Sequence, residues 1–368
     1  MRGHNMMLLL PLYVLLAFLN ILEFGAGPAG TAPHGTALVV REPGATVIID
    51  DSVRTALAAG PVRVDSPHVT IVLDVGTVID GTGLDHPFVV ATADARGLRV
   101  VSSQPGRAAR LVGFAGGVHA SATAACEVRD IDVRASAGDG VVLGPGARVS
   151  GVSVESSLGI GLRAGARSVV DSSRALGNAG VGVHLGDGSQ VRNVTSANNG
   201  ADGFLLGRGC IARSMTAVAN AGSGIAASYS ALIEASVAES NSVDGVRVDD
   251  GSTVYATVAN DNGDSGVRTG FGSTVIGGSA RSNVRVGCDL GSGTLLSEAV
   301  ASNGFVGVLA HGDARVGSAL VVGNAHGIVT FGSSPADVLS AGCVVRSSSD
   351  SDVAEWTQDD VMLRLARD

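Results

Sequence analysis

Arginine and aspartate recur at one phase of this chain in a pattern that could do chemistry. Arg247, Arg268 and Asp289 follow one another at 21-residue spacing; Asp249 and Asp250 fall at the turn beside them, and Asp244 and Asp264 stand just before the strands. Carboxylates can hold Ca²⁺ against the carboxylates of an acidic sugar, and an arginine can take or steady a sugar proton, so a calcium-dependent lyase would need both types. Opposite charges that only pair at a surface contribute ~0–1 kcal/mol each. Arg247, Asp249, Asp250, Arg268 and Asp289 are therefore read as a candidate binding patch for an acidic glycan, with no catalytic or metal-ligating residue assigned. A second acidic stretch, Asp74, Asp80, Asp85 and His86, is close in sequence, although Asp80-Gly81 is more simply a turn.

The element that would position these residues is a repeat. Glycine recurs every 21 residues at Gly140, Gly161, Gly182, Gly203, Gly224, Gly245, Gly266 and Gly287, then at 20-residue spacing at Gly307 and Gly327. The residue after each glycine is apolar (Val141, Leu162, Val183, Phe204, Ile225, Val246, Val267, Cys288), the next one varies freely, and the third is usually apolar again. That alternation describes a strand with one buried face. Gly-x-Gly-Ser runs such as Gly186 to Ser189 read as turns, and further apolar and alanine-rich columns follow nine and fourteen residues after the glycine. An asparagine travels seventeen residues behind the glycine, from Asn178 to Asn283, and reappears at Asn303 and Asn324. On rungs stacked ~4.8 Å apart, such a column can pass amide hydrogen bonds from coil to coil.

A repeat of this length could also be leucine-rich. The Leu-x-x-Leu-x-Leu signature is missing, however, and glycine and serine are too frequent for a helical segment in each repeat. The reading is an all-β parallel β-helix of ~21-residue coils. About thirteen coils from Leu38 onward would make a rod of roughly 60 Å.

Composition narrows the function classes. All 25 basic residues are arginine, which excludes a lysine base or Schiff base. A net charge of −9 argues against nucleic acid as a partner. Cys126, Cys210, Cys288 and Cys343 lack paired spacing and read as free thiols, and the scattered His119, His184, His311 and His326 form no ligand set.

At the N-terminus, Met6 to Leu22 is almost continuously apolar and runs into Gly25-Ala26-Gly27-Pro28-Ala29-Gly30. This reads as a secretory signal peptide cleaved near Ala29, with an uncleaved anchor as the alternative. Residues 1–30 are thus a signal peptide or anchor, 31–346 the β-helix and 347–368 a C-terminal cap. In that cap Asp352 would start a short helix carrying Val353 and Trp356.

The stretch Ser66 to Gly83, with Val69-Thr70-Ile71 leading into Ile79-Asp80-Gly81-Thr82-Gly83, resembles the opening rung of the secreted right-handed parallel β-helix proteins with the pectin-lyase-type fold. Asn199-Gly200-Ala201-Asp202-Gly203-Phe204 looks like their later coils, and the resemblance covers about 300 residues. It implies a right-handed, single-stranded solenoid and leaves activity open, because the group holds lyases, hydrolases, epimerases, copper-maturation proteins and adhesins. Of the hydrolase motifs only Asp249-Asp250 and Ala325-His326-Gly327 remain as fragments, and Asp85-His86-Pro87 has the epimerase motif in the wrong order. The expectation is an exported, non-catalytic scaffold or polysaccharide-binding adhesin rod. It would be secreted, periplasmic or on the cell surface, touching a membrane only through an uncleaved anchor. The alternative is a polysaccharide lyase or hydrolase with a degenerate motif set; no cofactor is expected, except Ca²⁺ in the case of a lyase.

Overall fold

A computed structural model describes residues 38–49, 60–76, 78–332 and 343–355, the last nine of these by chain path alone. The expected signal segment lies outside the described residues. Each coil is built from three short strands, as in Val246–Val248, Thr253–Tyr255 and Val258–Asn260, and each strand pairs in parallel with its counterpart one coil on. The second strands make a 13-stranded sheet of their own, and the first and third strands share the other sheet.

The sequence columns map onto these strands. Within one coil, Val246 and Val248 from the first strand, Val254 from the second and Ala259 from the third all point into the core. Burying a valine or leucine stabilises by about 1.5–3 kcal/mol, and repetition makes that gain continuous along the axis. The alanine-rich column is the centre of the third strand, where a small side chain fits the narrow interior beside the phase glycine. A Cβ added at Gly245 would stand 3.0 Å from the Ala259 Cβ.

Two corners of each coil use a left-handed backbone without needing glycine. The corner between second and third strands holds Ser172, Asn193, Ser214, Ala235 and Ala256 at φ between 47° and 53°, and Ser156, Asn198, Ala219, Ser240 and Asp261 do the same after the third strand. Small or short polar residues carry this conformation at low cost. Inside the second of these corners runs the asparagine ladder. Asn241 donates from Nδ2 to Asn262 Oδ1 at 3.0 Å and to the Ala217 carbonyl at 3.1 Å, while its own Oδ1 accepts from the amide and the Nδ2 of Asn220. The column is buried from Asn178 to Asn324.

The C-terminal expectation needs correction. Coiling does not stop after Cys343: a strand runs Val344–Glu355 and pairs in parallel with Leu320–Phe331, setting Val353 against Ile328 and Ala354 against Val329. Asp352 therefore sits inside a strand instead of capping a helix. Trp356 and the rest of the tail lie outside the described residues. All four cysteines are free, and burial pushes the thiols of Cys126 and Cys288 up to about 12.

Candidate ligand-binding site

The residue that follows each buried first position points outward, so equivalent residues form a column up the face of the first strands. Ala226, Arg247, Arg268 and Asp289 are successive register partners in it, followed by Leu309 and Val329. The sequence-derived arginines and Asp289 are therefore adjacent. Asp249 and Asp250 are not part of this cluster. They belong to the corner after the strand, where the Asp249 amide donates to the Ala227 carbonyl at 3.0 Å and Asp250 Oδ1 accepts from the Phe271 amide at 2.8 Å.

Arg268 is the centre of the cluster. Its Nε lies 3.0 Å from Asp289 Oδ2, its Nη1 3.4 Å from Asp244 Oδ2 and its Nη2 3.6 Å from Asp264 Oδ2. Arg285 stands 3.9 Å from Asp264 on the other side, and His311 Nε2 meets Asp289 Oδ1 at 3.0 Å. Asp244 is fully buried, and its Oδ1 also accepts from the Ser265 amide at 3.2 Å. Burial pushes the Asp244 carboxyl above the usual carboxylate range, against the pull of Arg268. At Asp289 burial acts in the same upward sense, but hydrogen bonds and charge from His311 and Arg268 outweigh it and hold that carboxyl low. Burial works to lower the Arg268 pKa, yet Asp244 and Asp289 hold it above its ordinary value.

Three carboxylates thus converge on a guanidinium, so the space where a cation would sit is filled by Arg268. Among the described residues no group of three or more His, Cys, Asp or Glu could hold a metal ion. Arg247, one rung away, is exposed and has no ion pair among the described residues. It leaves a planar guanidinium free for an external carboxylate or hydroxyl.

His311 was not selected from the sequence. The register partner of Asp289 is Leu309, and His311 lies two residues further along the lengthened strand Val306–His311, so a column read at the repeat period does not join His311 to Asp289. The N-terminal set stays dispersed: Asp74 Oδ1 accepts from Val75 N and Ser103 Oγ, Asp80 Oδ1 accepts from Thr82 N, and His86 Nδ1 lies 2.9 Å from the Pro87 carbonyl.

Residues 116–294 match the family model described as right handed beta helix region. The chain is a β-helix repeat protein. Its structure is similar to the A-module of the mannuronan C-5 epimerase AlgE6 from Azotobacter vinelandii, with a TM-score of 0.51, 16% identity, and coverage of 85% of this chain and 96% of the module. The catalytic unit of a GH87 α-1,3-glucanase from Streptomyces thermodiastaticus also aligns, with a TM-score of 0.49 and 15% identity over 91% of this chain and 71% of the glucanase. At 16% identity the likeness to the epimerase module shows the fold alone. No curated protein sequence matches the chain significantly.

Proposed function

We propose that this β-helix is a non-catalytic polysaccharide-binding rod that receives acidic groups of a linear glycan on the first-strand face at Arg247 and Arg268. The observation that carries the reading is the stacking of Arg247 on Arg268 as register partners, with Arg268 fixed by three carboxylates and Arg247 left exposed. A guanidinium held in this way offers a preorganised donor edge, which lowers the ordering cost of binding. The epimerase module with the same fold acts on mannuronan, a polymer of acidic sugars, and that supports the ligand class. Export belongs to the same reading, because Met6 to Leu22 has the pattern of a signal peptide and the ligand is extracellular.

One observation favours a second reading, in which the same face transfers a proton. His311 is oriented by Asp289 and remains partly exposed, which is the arrangement of a general base held by a carboxylate. The deciding experiment incubates the purified protein with alginate, polygalacturonate and a neutral glucan, and reads retention together with unsaturated ends, reducing ends and epimer content. Retention of acidic polymers that Arg247→Ala with Arg268→Ala abolishes, without product, is the expected result. Product that disappears in His311→Ala would establish the enzyme, and retention unchanged in the double arginine variant would sink the proposed site.

A further inference from the structure

The corner between first and second strands carries a column that combines exposed aromatic rings with charged side chains. Arg208, Tyr229, Asp250 and Phe271 occupy it on four successive coils, tied rung to rung by backbone bonds such as Gly209 N to the Tyr229 carbonyl at 2.9 Å and Gly251 N to the Phe271 carbonyl at 2.8 Å. Corners normally place glycine, serine or aspartate here, yet Tyr229 is 46% exposed and Phe271 63% exposed. Leaving such large apolar faces in water gains nothing for folding. The core does not need them, since neither ring packs into it.

The polar members of the column are fixed between the rings. Asp250 Oδ1 accepts from the Phe271 amide at 2.8 Å, which holds the carboxylate on the rung between the two aromatics. The Arg208 guanidinium lies over the Tyr229 ring, 5.6 Å from its centroid, and Arg208, Gly209, Tyr229 and Ser230 line a shallow groove of about 520 Å³. One rung below, Asp187 Oδ1 accepts from the Arg208 amide at 2.8 Å.

We infer that this corner is a second glycan track, running parallel to the solenoid axis and selective for uncharged sugars. The inference rests on the reading of the chain as a glycan-binding rod and names a separate site with a different ligand class. Tyr229 and Phe271 are two rungs apart, roughly 10 Å at the usual rung spacing. A linear β-linked glycan advances by about one rung per sugar, so its every second ring would meet an aromatic face. The sugar between them would present hydroxyls to Asp250, and the first would present hydroxyls to Arg208. Asp250 has no ion pair among the described residues, unlike the carboxylates neutralised by Arg268, so a uronate on the rung between the rings would be repelled while a neutral hydroxyl donates to it. Aromatic faces with a few convergent polar groups suit sugar rings.

The test uses the full chain with cellohexaose, xylohexaose and mannohexaose as neutral probes and oligoguluronate as the acidic one, read by calorimetry. Tyr229→Ala with Phe271→Ala is expected to weaken neutral binding by about tenfold or more and to leave oligoguluronate unchanged. Phe271→Trp should retain or tighten neutral binding, which separates loss of a ring face from loss of fold. Arg247→Ala with Arg268→Ala should do the reverse, removing acidic binding alone. Neutral binding that survives the double aromatic variant, or wild-type protein that binds the acidic probe and none of the neutral ones, overturns the corner track while leaving the arginine face standing. Binding of no probe overturns both.

Discussion

At the scale of single residues, Asp244 and Asp289 share one arginine and respond to their surroundings in opposite ways. Asp244 has its folded pKa raised, chiefly by burial, so between the unfolded value near 4 and the folded value the native state holds the extra proton. Stability contributed by this group is therefore present at low pH and declines as pH rises. Asp289 has its folded pKa held down against burial by His311 and Arg268, so its contribution is present above about pH 4 and is lost as pH falls through the folded value. Asn at either position keeps the shape and an acceptor oxygen, and at 244 the bond from the Ser265 amide survives. Relative to wild type, Asp244→Asn is expected to gain stability as pH is raised from about 4 to 7, and Asp289→Asn to lose it between about 2 and 5. Urea midpoints across pH measure both, and slopes of the same sign in the two variants would contradict the assignment.

At the scale of the coil, two glycines of adjacent repeats do different jobs. A Cβ on Gly245 would lie 2.5 Å from Asn262 Nδ2 and 2.7 Å from the Gly266 carbonyl, both fixed inside the stack, whereas Gly272 has nothing within 4 Å and only its φ of +62° to satisfy. Ser230 adopts φ 58° at the same corner phase, so a side chain is tolerated there. Gly245→Ala is expected to cost about 3 kcal/mol or more by overpacking and Gly272→Ala about 1 kcal/mol, measured by chemical denaturation. Equal costs would mean that the close approach at Gly245 relaxes freely. The glycine, apolar and asparagine columns were legible in the sequence because a constant period superimposes them and only one side-chain face is buried. The adjacency of Arg247, Arg268 and Asp289 was legible for the same reason. Asp249 and Asp250 stand at the turn after the Arg247 strand, as their sequence position implies, and take no part in the ion pairs of Arg268. His311 was hidden because it lies two residues beyond Leu309, the register partner of Asp289, so counting along one column does not bring it to that carboxylate. The expected helix at Asp352 failed because two residues three apart, Val353 and Trp356, are too few to establish a helical period, and parallel pairing sets Val353 against Ile328 and Ala354 against Val329 in a strand.

At the scale of the molecule, each coil touches only its neighbours, so cooperativity depends on what links coil to coil. The asparagine ladder links them from Asn178 to Asn324, whereas the coils between Leu38 and Ala120 have no such column and fill their interior with Phe88 and Phe114. A nearest-neighbour stack opens first where its interfaces are weakest. Native-state hydrogen exchange is therefore expected to show the ladder coils opening last and together, with the N-terminal coils opening earlier. Asn241→Ala would take the Asn241 partner from the Asn220 amide and the Ala217 carbonyl, two buried groups at about 1–3 kcal/mol each before relaxation or entry of water, and would leave Asn220 Nδ2 only its bond to the Ser196 carbonyl. Such a loss should reduce protection in the coils on both sides, because every amide in the ladder both gives and receives. Protection lost only in the Asn241 coil would show that the ladder is a series of independent bonds. The distinction reaches function: a glycan track two rungs long and an arginine pair on adjacent strands keep their spacing only while neighbouring coils hold one register. Loosening the ladder at Asn241, two coils below Asn283, should therefore weaken both kinds of sugar binding together, where substitutions at either surface weaken one.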